Sequence, residues 1–335
     1  MAAGLLSIAL LSLFAASPAT ASDAFSAGGR LAAYLRSVGS VPSSPPAPII
    51  ATYIDWRDVN WVHVEQTVLA ALDGGFNVII LAFQLATGPT DMLLGWVGVD
   101  PTIRNATLAA AHAKGAVLLL SAGGASEEPY RLDPAVYGAA VGAEVLAAGL
   151  DGVDFDLENL APGFNFGGVE MVDWIVAANA AARKAIGPAR LITHAPQGPY
   201  FKNDWTAPSG GYSDVWKKAG AGAIDWLHVQ FYNQGDACYS TYASAFVASA
   251  GANASGCVFP GTSVSEIVAT GVPLGALVLG KPLLADDADT GFTPAADLAA
   301  WVARAQAELG WAAGVMCWSW EATAGPVWVK TIYPS

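Results

Sequence analysis

The chain has 335 residues, 54% hydrophobic and 13% charged, about half the charged share of an ordinary globular domain. Fifteen Lys and Arg against 28 Asp and Glu leave a net charge of −13, which argues against a nucleic-acid backbone as partner. An apolar composition with twelve Trp excludes a disordered chain and supplies enough material for one large core.

Residues 4–17, GLLSIALLSLFAAS, form an apolar run followed by Pro18 and Ala19-Thr20-Ala21. That is the pattern of a secretory signal peptide, expected here over residues 1–21. Fourteen helical residues reach about 21 Å, short of a ~30 Å hydrocarbon core, so the run is not expected to span a membrane, and neither is any later one. Residues 22–47 run into VPSSPPAP, residues 41–48, and read as an N-terminal arm and Pro/Ser linker, with one folded domain expected over 48–335.

From residue 48 onward one pattern repeats: an apolar run, an amphipathic stretch, a Gly-led return. The runs are Ile49–Ile54, Asn77–Phe83, Ala116–Ser121, Gly152–Leu157, Leu191–Ala195, Asp225–Tyr232, Leu277–Gly280 and Gly314–Trp318. Alternation of such runs with helices predicts a parallel sheet buried on both faces. Eight units over about 285 residues predict a closed (β/α)8 TIM barrel as a single α/β domain, with its chemistry at the C-terminal strand ends. A doubly wound open sheet is the competing architecture, but no Gly-rich dinucleotide loop follows the first strand.

Asn105-Ala-Thr107 and Asn253-Ala-Ser255 are sequons for N-glycosylation of an exported chain. Cys238 and Cys257 flank a Ser/Ala/Gly-rich loop and are expected to form a disulfide. Cys317, inside an apolar run, is expected as a buried thiol.

One segment stands apart: Leu150-Asp151-Gly152-Val153-Asp154-Phe155-Asp156-Leu157-Glu158. Strand side chains alternate faces, so Asp154, Asp156 and Glu158 share one face and Val153, Phe155 and Leu157 the other. The apolar set belongs against the helices, which sends three carboxylates into the barrel. Asp151 is out of phase and is expected to play a structural part at the strand's start. Carboxylates about 6.6 Å apart in low dielectric repel, so at least one should keep a proton near neutral pH, as a general acid must. A metal site competes for such a row, yet His63, His112, His194 and His228 show no ligand spacing, and neither metal nor cofactor is expected.

The nine-residue segment resembles the active-site signature of glycoside hydrolase family 18, the chitinases and endo-β-N-acetylglucosaminidases, and falls on the fourth strand as it does there. Ser121-Ala122-Gly123-Gly124 is similar to the family's Ser-x-Gly-Gly motif. Gln230-Phe231-Tyr232-Asn233 and Ala195-Pro196-Gln197 resemble the plant and fungal class III branch, and Gly314–Ser319 resembles the eighth strand, whose Trp floors the sugar site. The resemblance implies a retaining, substrate-assisted hydrolysis. In it Glu158 would be the acid, Asp156 and Tyr232 would orient the substrate's 2-acetamido group, and Asp154 would tune the proton shared by the other two.

It further implies Trp318, Gln230, Gln197 and Asn233 as sugar-binding residues, with Asp151, Gly152, Ser121, Gly123 and Gly124 as structural parts of the motifs. Trp56 and Trp205 lie near strand ends and are candidates to line subsites, and Met316, Trp318 and Trp320 are expected to share a face. The expected activity is that of a secreted, monomeric chain acting on chitin or N-acetylglucosamine oligosaccharides. The same residues would serve an enzyme cutting the chitobiose core of N-glycans. A lectin or inhibitor on the same barrel is the non-enzymatic alternative, and such proteins characteristically lose the acid or its neighbours.

Overall fold

The computed structural model describes residues 47–55, 62–160, 169–202, 211–249 and 256–334. Eight strands form the wall: β1 Ile49–Ile54, β2 Val78–Leu85, β3 Val117–Gly123, β4 Gly152–Asp156, β5 Leu191–His194, β6 Trp226–Gln230, β7 Leu277–Pro282 and β8 Gly314–Trp318. Each pairs in parallel with the next, and β1 closes the ring by pairing with both β2 and β8. The expected (β/α)8 barrel is therefore the observed one, with every predicted run on a strand of the wall.

Among the described residues the α-helices are α1 Val64–Asp73, α2 Asp91–Gly98, α3 Pro101–Ala113, α4 Pro134–Ala148, α5 Met171–Ile186, α6 Gly211–Ala219, α7 Val264–Ala269 and α8 Ala295–Leu309 between strands, and α9 Ala324–Ile332 after the last. Their ends follow from local chemistry. Asp100 and Asp133 cap α3 and α4 ahead of a proline at the first helical position. Ser263 and Glu266 form a capping box on α7. Gly149 and Gly310, at φ 73° and 68°, end α4 and α8 in the left-handed region.

Three fully buried tryptophans strap this outer layer to the chain behind it. The indole N–H of Trp96 donates to Ala148 O at 3.0 Å, that of Trp174 to Leu132 O at 2.8 Å and that of Trp311 to Leu277 O at 2.9 Å. Much of the tryptophan excess is thus structural, each ring burying area while its N–H finds a carbonyl.

Cys238 and Cys257 are joined as expected, closing a loop that the chain-entropy picture values at about 3 kcal/mol. Cys317 is buried, with its thiol 3.2 Å from Thr52 Oγ1, and burial pushes its pKa up to about 12. Asn105 is exposed on α3. The signal peptide, the arm up to residue 46, Trp56, Trp205 and Asn253 lie outside the described residues. No helix among the described residues is long and apolar enough to cross a membrane.

Candidate active site

β4 carries the carboxylate row, and two glycines let it sit where it does. A Cβ on Gly152 would fall 2.1 Å from Leu191 O, so only glycine lets β4 approach β5 this closely. At the end of β3, Gly123 has φ 120° and a Cβ there would fall 2.1 Å from Asp156 O. Gly124 N–H then donates to that same oxygen at 2.7 Å. The Ser-Ala-Gly-Gly segment is thereby a backbone clamp on Asp156. Its serine lies in register with Asp154, buried, with its hydroxyl unpaired.

Asp151 takes the structural part expected of it. Its carboxylate accepts from Leu118 N–H at 2.9 Å and meets His112 Nε2 at 2.9 Å, tying β4 to β3 and α3. The hydrogen bond to Asp151 raises the His112 pKa against the opposing effect of burial.

Asp154 is fully buried and takes three donors: Tyr53 Oη at 2.6 Å, Thr193 Oγ1 at 2.5 Å and His228 Nδ1 at 3.0 Å. Trp226 Nε1 donates to His228 Nε2 at 2.8 Å, which turns the Nδ1 edge of the ring to Asp154. Burial by itself would raise the Asp154 pKa. The hydrogen bonds from His228, Thr193 and Tyr53 outweigh it and hold the carboxyl below its usual range, so Asp154 stays ionised.

Asp156 and Glu158 behave in the opposite way. Burial pushes Asp156 well above the usual carboxylate range, and the charges of Glu158 and Asp154 push it further. Burial raises Glu158 as well, against hydrogen bonds from Asp156, Gln230 and Gln197. The two carboxyls hydrogen-bond to each other and share a proton, titrating as a pair. Gln230 Nε2 steadies the pair, donating to Asp156 Oδ1 and to Ala195 O, each at 2.9 Å. Gln197 bridges to Gln230 through the backbone. Tyr200 donates its hydroxyl to the Glu158 carbonyl, fixing the chain where the acid leaves the strand.

Tyr232 is buried, and its phenol is pushed up first by burial and then by the charges of Glu158 and Asp156. Its hydroxyl therefore stays protonated, a donor beside the shared proton. Trp318 is half-buried, its ring 5.5 Å from that of Tyr53 and 6.1 Å from that of Phe83, so an aromatic wall borders the carboxylates.

One expectation is corrected. Trp320 does not share the face of Met316 and Trp318: β8 ends at Trp318, and the Trp320 ring packs against Phe76 with centroids 5.7 Å apart. Asn233 is exposed, with φ 66°, and its side-chain oxygen accepts from Asp289 N–H at 2.8 Å on the loop after β7. Sequence reasoning missed Tyr53 and Thr193. Their signal was a polar or phenolic residue interrupting an aliphatic strand. No group of three or more His, Cys, Asp and Glu among the described residues is arranged to hold a metal.

The electrostatics give a first expected result. The folded-state pKa of Asp156 lies above its unfolded value of about 3.9, so the folded chain binds the extra proton between the two, and stability falls as pH rises through that window. Asp156→Asn should therefore raise the melting temperature at about pH 8. Near pH 4 the gain should vanish; thermal melts at both values check this.

No protein-family model and no curated protein sequence matches the chain. Solved structures do match by fold. A chitinase of glycoside hydrolase family 18 from Pseudoalteromonas aurantia superposes with a TM-score of 0.61 at 22% identity, covering 85% of this chain and 98% of that one. A chitinase from Aspergillus fumigatus gives 0.59 at 19% identity, covering 81% and 91%. A xylanase and alpha-amylase inhibitor protein from Scadoxus multiflorus gives 0.54 at 20% identity, covering 85% and 98%. The barrel is that of the family 18 chitinases, a fold that also carries inhibitor proteins.

Proposed function

We propose that this protein is a secreted glycoside hydrolase cleaving β-1,4 bonds of chitin or its oligosaccharides with retention. The observation that carries the reading is the Asp156–Glu158 pair, two buried carboxyls both held above the usual carboxylate range beside a protonated tyrosine. Two-carboxylate glycosidases need about 5–5.5 Å between the groups for a protein nucleophile, or about 6.5–9.5 Å for a water. Asp156 and Glu158 stand two residues apart along one strand direction, the place of an acid and its helper and not of two groups facing each other across a sugar, and this suits a substrate that supplies its own nucleophile.

In this mechanism Glu158 protonates the glycosidic oxygen. The carbonyl oxygen of the 2-acetamido group attacks the anomeric carbon, and the bond to the leaving sugar breaks, giving an oxazolinium ion. Asp156, ionised as the proton leaves the pair, accepts the acetamido N–H and faces the developing positive charge. Tyr232 donates to the acetamido oxygen and keeps it in line. Glu158 then takes a proton from water, which opens the oxazolinium ion with overall retention. Trp318 offers a flat face for the pyranose.

Support for an enzyme over an inhibitor on the same barrel comes from the intact site: Asp154, Asp156, Glu158, Gln230 and Tyr232 are all present, with Gln230 bonded to Asp156 and the charges of Asp156 and Glu158 felt at Tyr232. The disulfide suits an oxidising compartment and supports export directed by residues 1–21. The test incubates the purified protein with N-acetylglucosamine oligosaccharides and, separately, a high-mannose glycoprotein, following nascent product by proton NMR. The β-anomer should appear first, from the oligosaccharides. Release of glycan instead would move the substrate to the N-glycan core, and an initial α-anomer would rule out acetamido participation.

A further inference from the structure

A cation lies behind the site. Lys281, on β7, has none of its surface exposed to solvent. It follows Gly280, where a Cβ would run 2.6 Å from the Met316 side chain inside the barrel, so Lys281 leaves from the outer face. Its Nζ donates to Phe231 O at 3.0 Å, Tyr239 O at 2.8 Å and Gly291 O at 3.1 Å. The Trp301 ring on α8 covers it at 5.4 Å. Three N–H groups thus meet three carbonyls from three separate segments: the end of β6, the disulfide loop and the loop after β7.

Two of those carbonyls bracket Tyr232. Phe231 precedes it in the chain, and Gly291 presses on it from the neighbouring loop. A Cβ at Gly291 would fall 2.6 Å from Tyr232 Cα and 2.8 Å from its Cβ, at a φ of 96°. β6 itself ends at Gln230, so Tyr232 stands past the last full rung of the strand, with the Phe231 N–H still bonded to Gly280 O at 3.2 Å. Past the strand, Asn233 N–H also donates to Thr290 O at 3.0 Å, so the loop after β7 grips the chain on the far side of the tyrosine too.

We propose that Lys281 is a positioning residue for Tyr232: its buried ammonium pins the backbone on both sides of the tyrosine and so sets where the hydroxyl stands beside Asp156 and Glu158. This rests on the catalytic reading of Tyr232 given above. The chemistry favours lysine because three converging carbonyls call for three donors, and an apolar residue would take that donor from each, leaving Gly291 O only the long contact from Thr293 Oγ1 at 3.5 Å. Burial pulls the lysine pKa to about 7, yet the three acceptors are satisfied together only by the charged form.

The test is a double-mutant cycle of Lys281→Met and Tyr232→Phe, reading kcat and KM on an N-acetylglucosamine oligosaccharide, with near-ultraviolet circular dichroism to check packing. Lys281→Met should lower kcat about ten- to a hundredfold, the scale of a misplaced catalytic group, with KM within about threefold. On the Tyr232→Phe background the same change should cost less than about threefold. Equal losses on both backgrounds, or a loss confined to KM, would overturn the proposal while leaving the catalytic tyrosine in place. Full activity of Tyr232→Phe alone would overturn the reading of the tyrosine, and the proposal with it. Should Lys281→Met not fold, Gly291→Ala keeps the ammonium and drives a methyl group at Tyr232. Its loss in kcat should again depend on the tyrosine hydroxyl, and an additive loss would overturn the proposal.

Discussion

Glu158→Gln is expected to lower kcat by about 10²- to 10⁴-fold, the usual worth of a positioned general acid, with oligosaccharide affinity changed by less than about threefold. The substitution is nearly isosteric. The Glu158 backbone carbonyl is held by Tyr200 just past the strand, so an amide can keep the position while losing the proton. Turnover would then depend on departure of an unprotonated sugar alkoxide. Calorimetric binding of a short oligosaccharide beside steady-state rates separates the two quantities. Near-normal turnover in this variant would remove Glu158 from the mechanism, and lost binding with normal kcat would make it a recognition residue instead. Among single substitutions this should have the largest effect on rate, because Glu158 both gives and takes the proton, whereas Tyr232 and Asp156 act on the acetamido group.

Much of this was legible before any fold was known, for a physical reason that also marks the limit. Strands of a parallel barrel are buried on both faces, so each reads as a nearly continuous apolar run. The ends drift by a residue or two: Asn77–Phe83 became Val78–Leu85, and Asp225–Tyr232 became Trp226–Gln230. The carboxylate row was readable because a period of two is a local property, and it carries past the last rung from Asp156 to Glu158. The same rule failed at Trp320, where the strand had ended and the chain turned away to Phe76. Partners supplied by closure of the ring were not readable. Tyr53 lies 101 residues from Asp154 and Thr193 lies 39 away, and only the barrel brings them to one carboxylate. Lys281 belongs to the same class. A lysine in the run LVLGKP signals something unusual, but its three carbonyls come from segments with no pattern of their own.

Asp154 is where stability and chemistry meet, and two substitutions should separate them. Asp154→Ala leaves the Tyr53 hydroxyl, the Thr193 hydroxyl and the His228 Nδ1–H buried without their acceptor, at about 1–3 kcal/mol each. A loss of several kcal/mol by denaturant titration is expected. Asp154→Asn retains one acceptor and the shape while removing the charge, so its stability loss should be smaller and its effect on the shared proton the same. The charge of Asp154 is one of the causes that raise Asp156. Two charges about 6.6 Å apart interact by about 2.5 kcal/mol at an effective dielectric constant near 20, approaching two pH units at the upper bound. Without that charge the pair gives up its proton more readily. The active form carries one proton on Asp156 and Glu158 together; its alkaline limb is loss of that proton and its acid limb the gain of a second. Both steps add a proton to a site that Asp154 made more negative, so both should move to lower pH in Asp154→Asn, and the optimum of kcat/KM with them. A profile that keeps its limbs and only loses height would show that Asp154 holds the barrel together without setting the proton affinity of the pair.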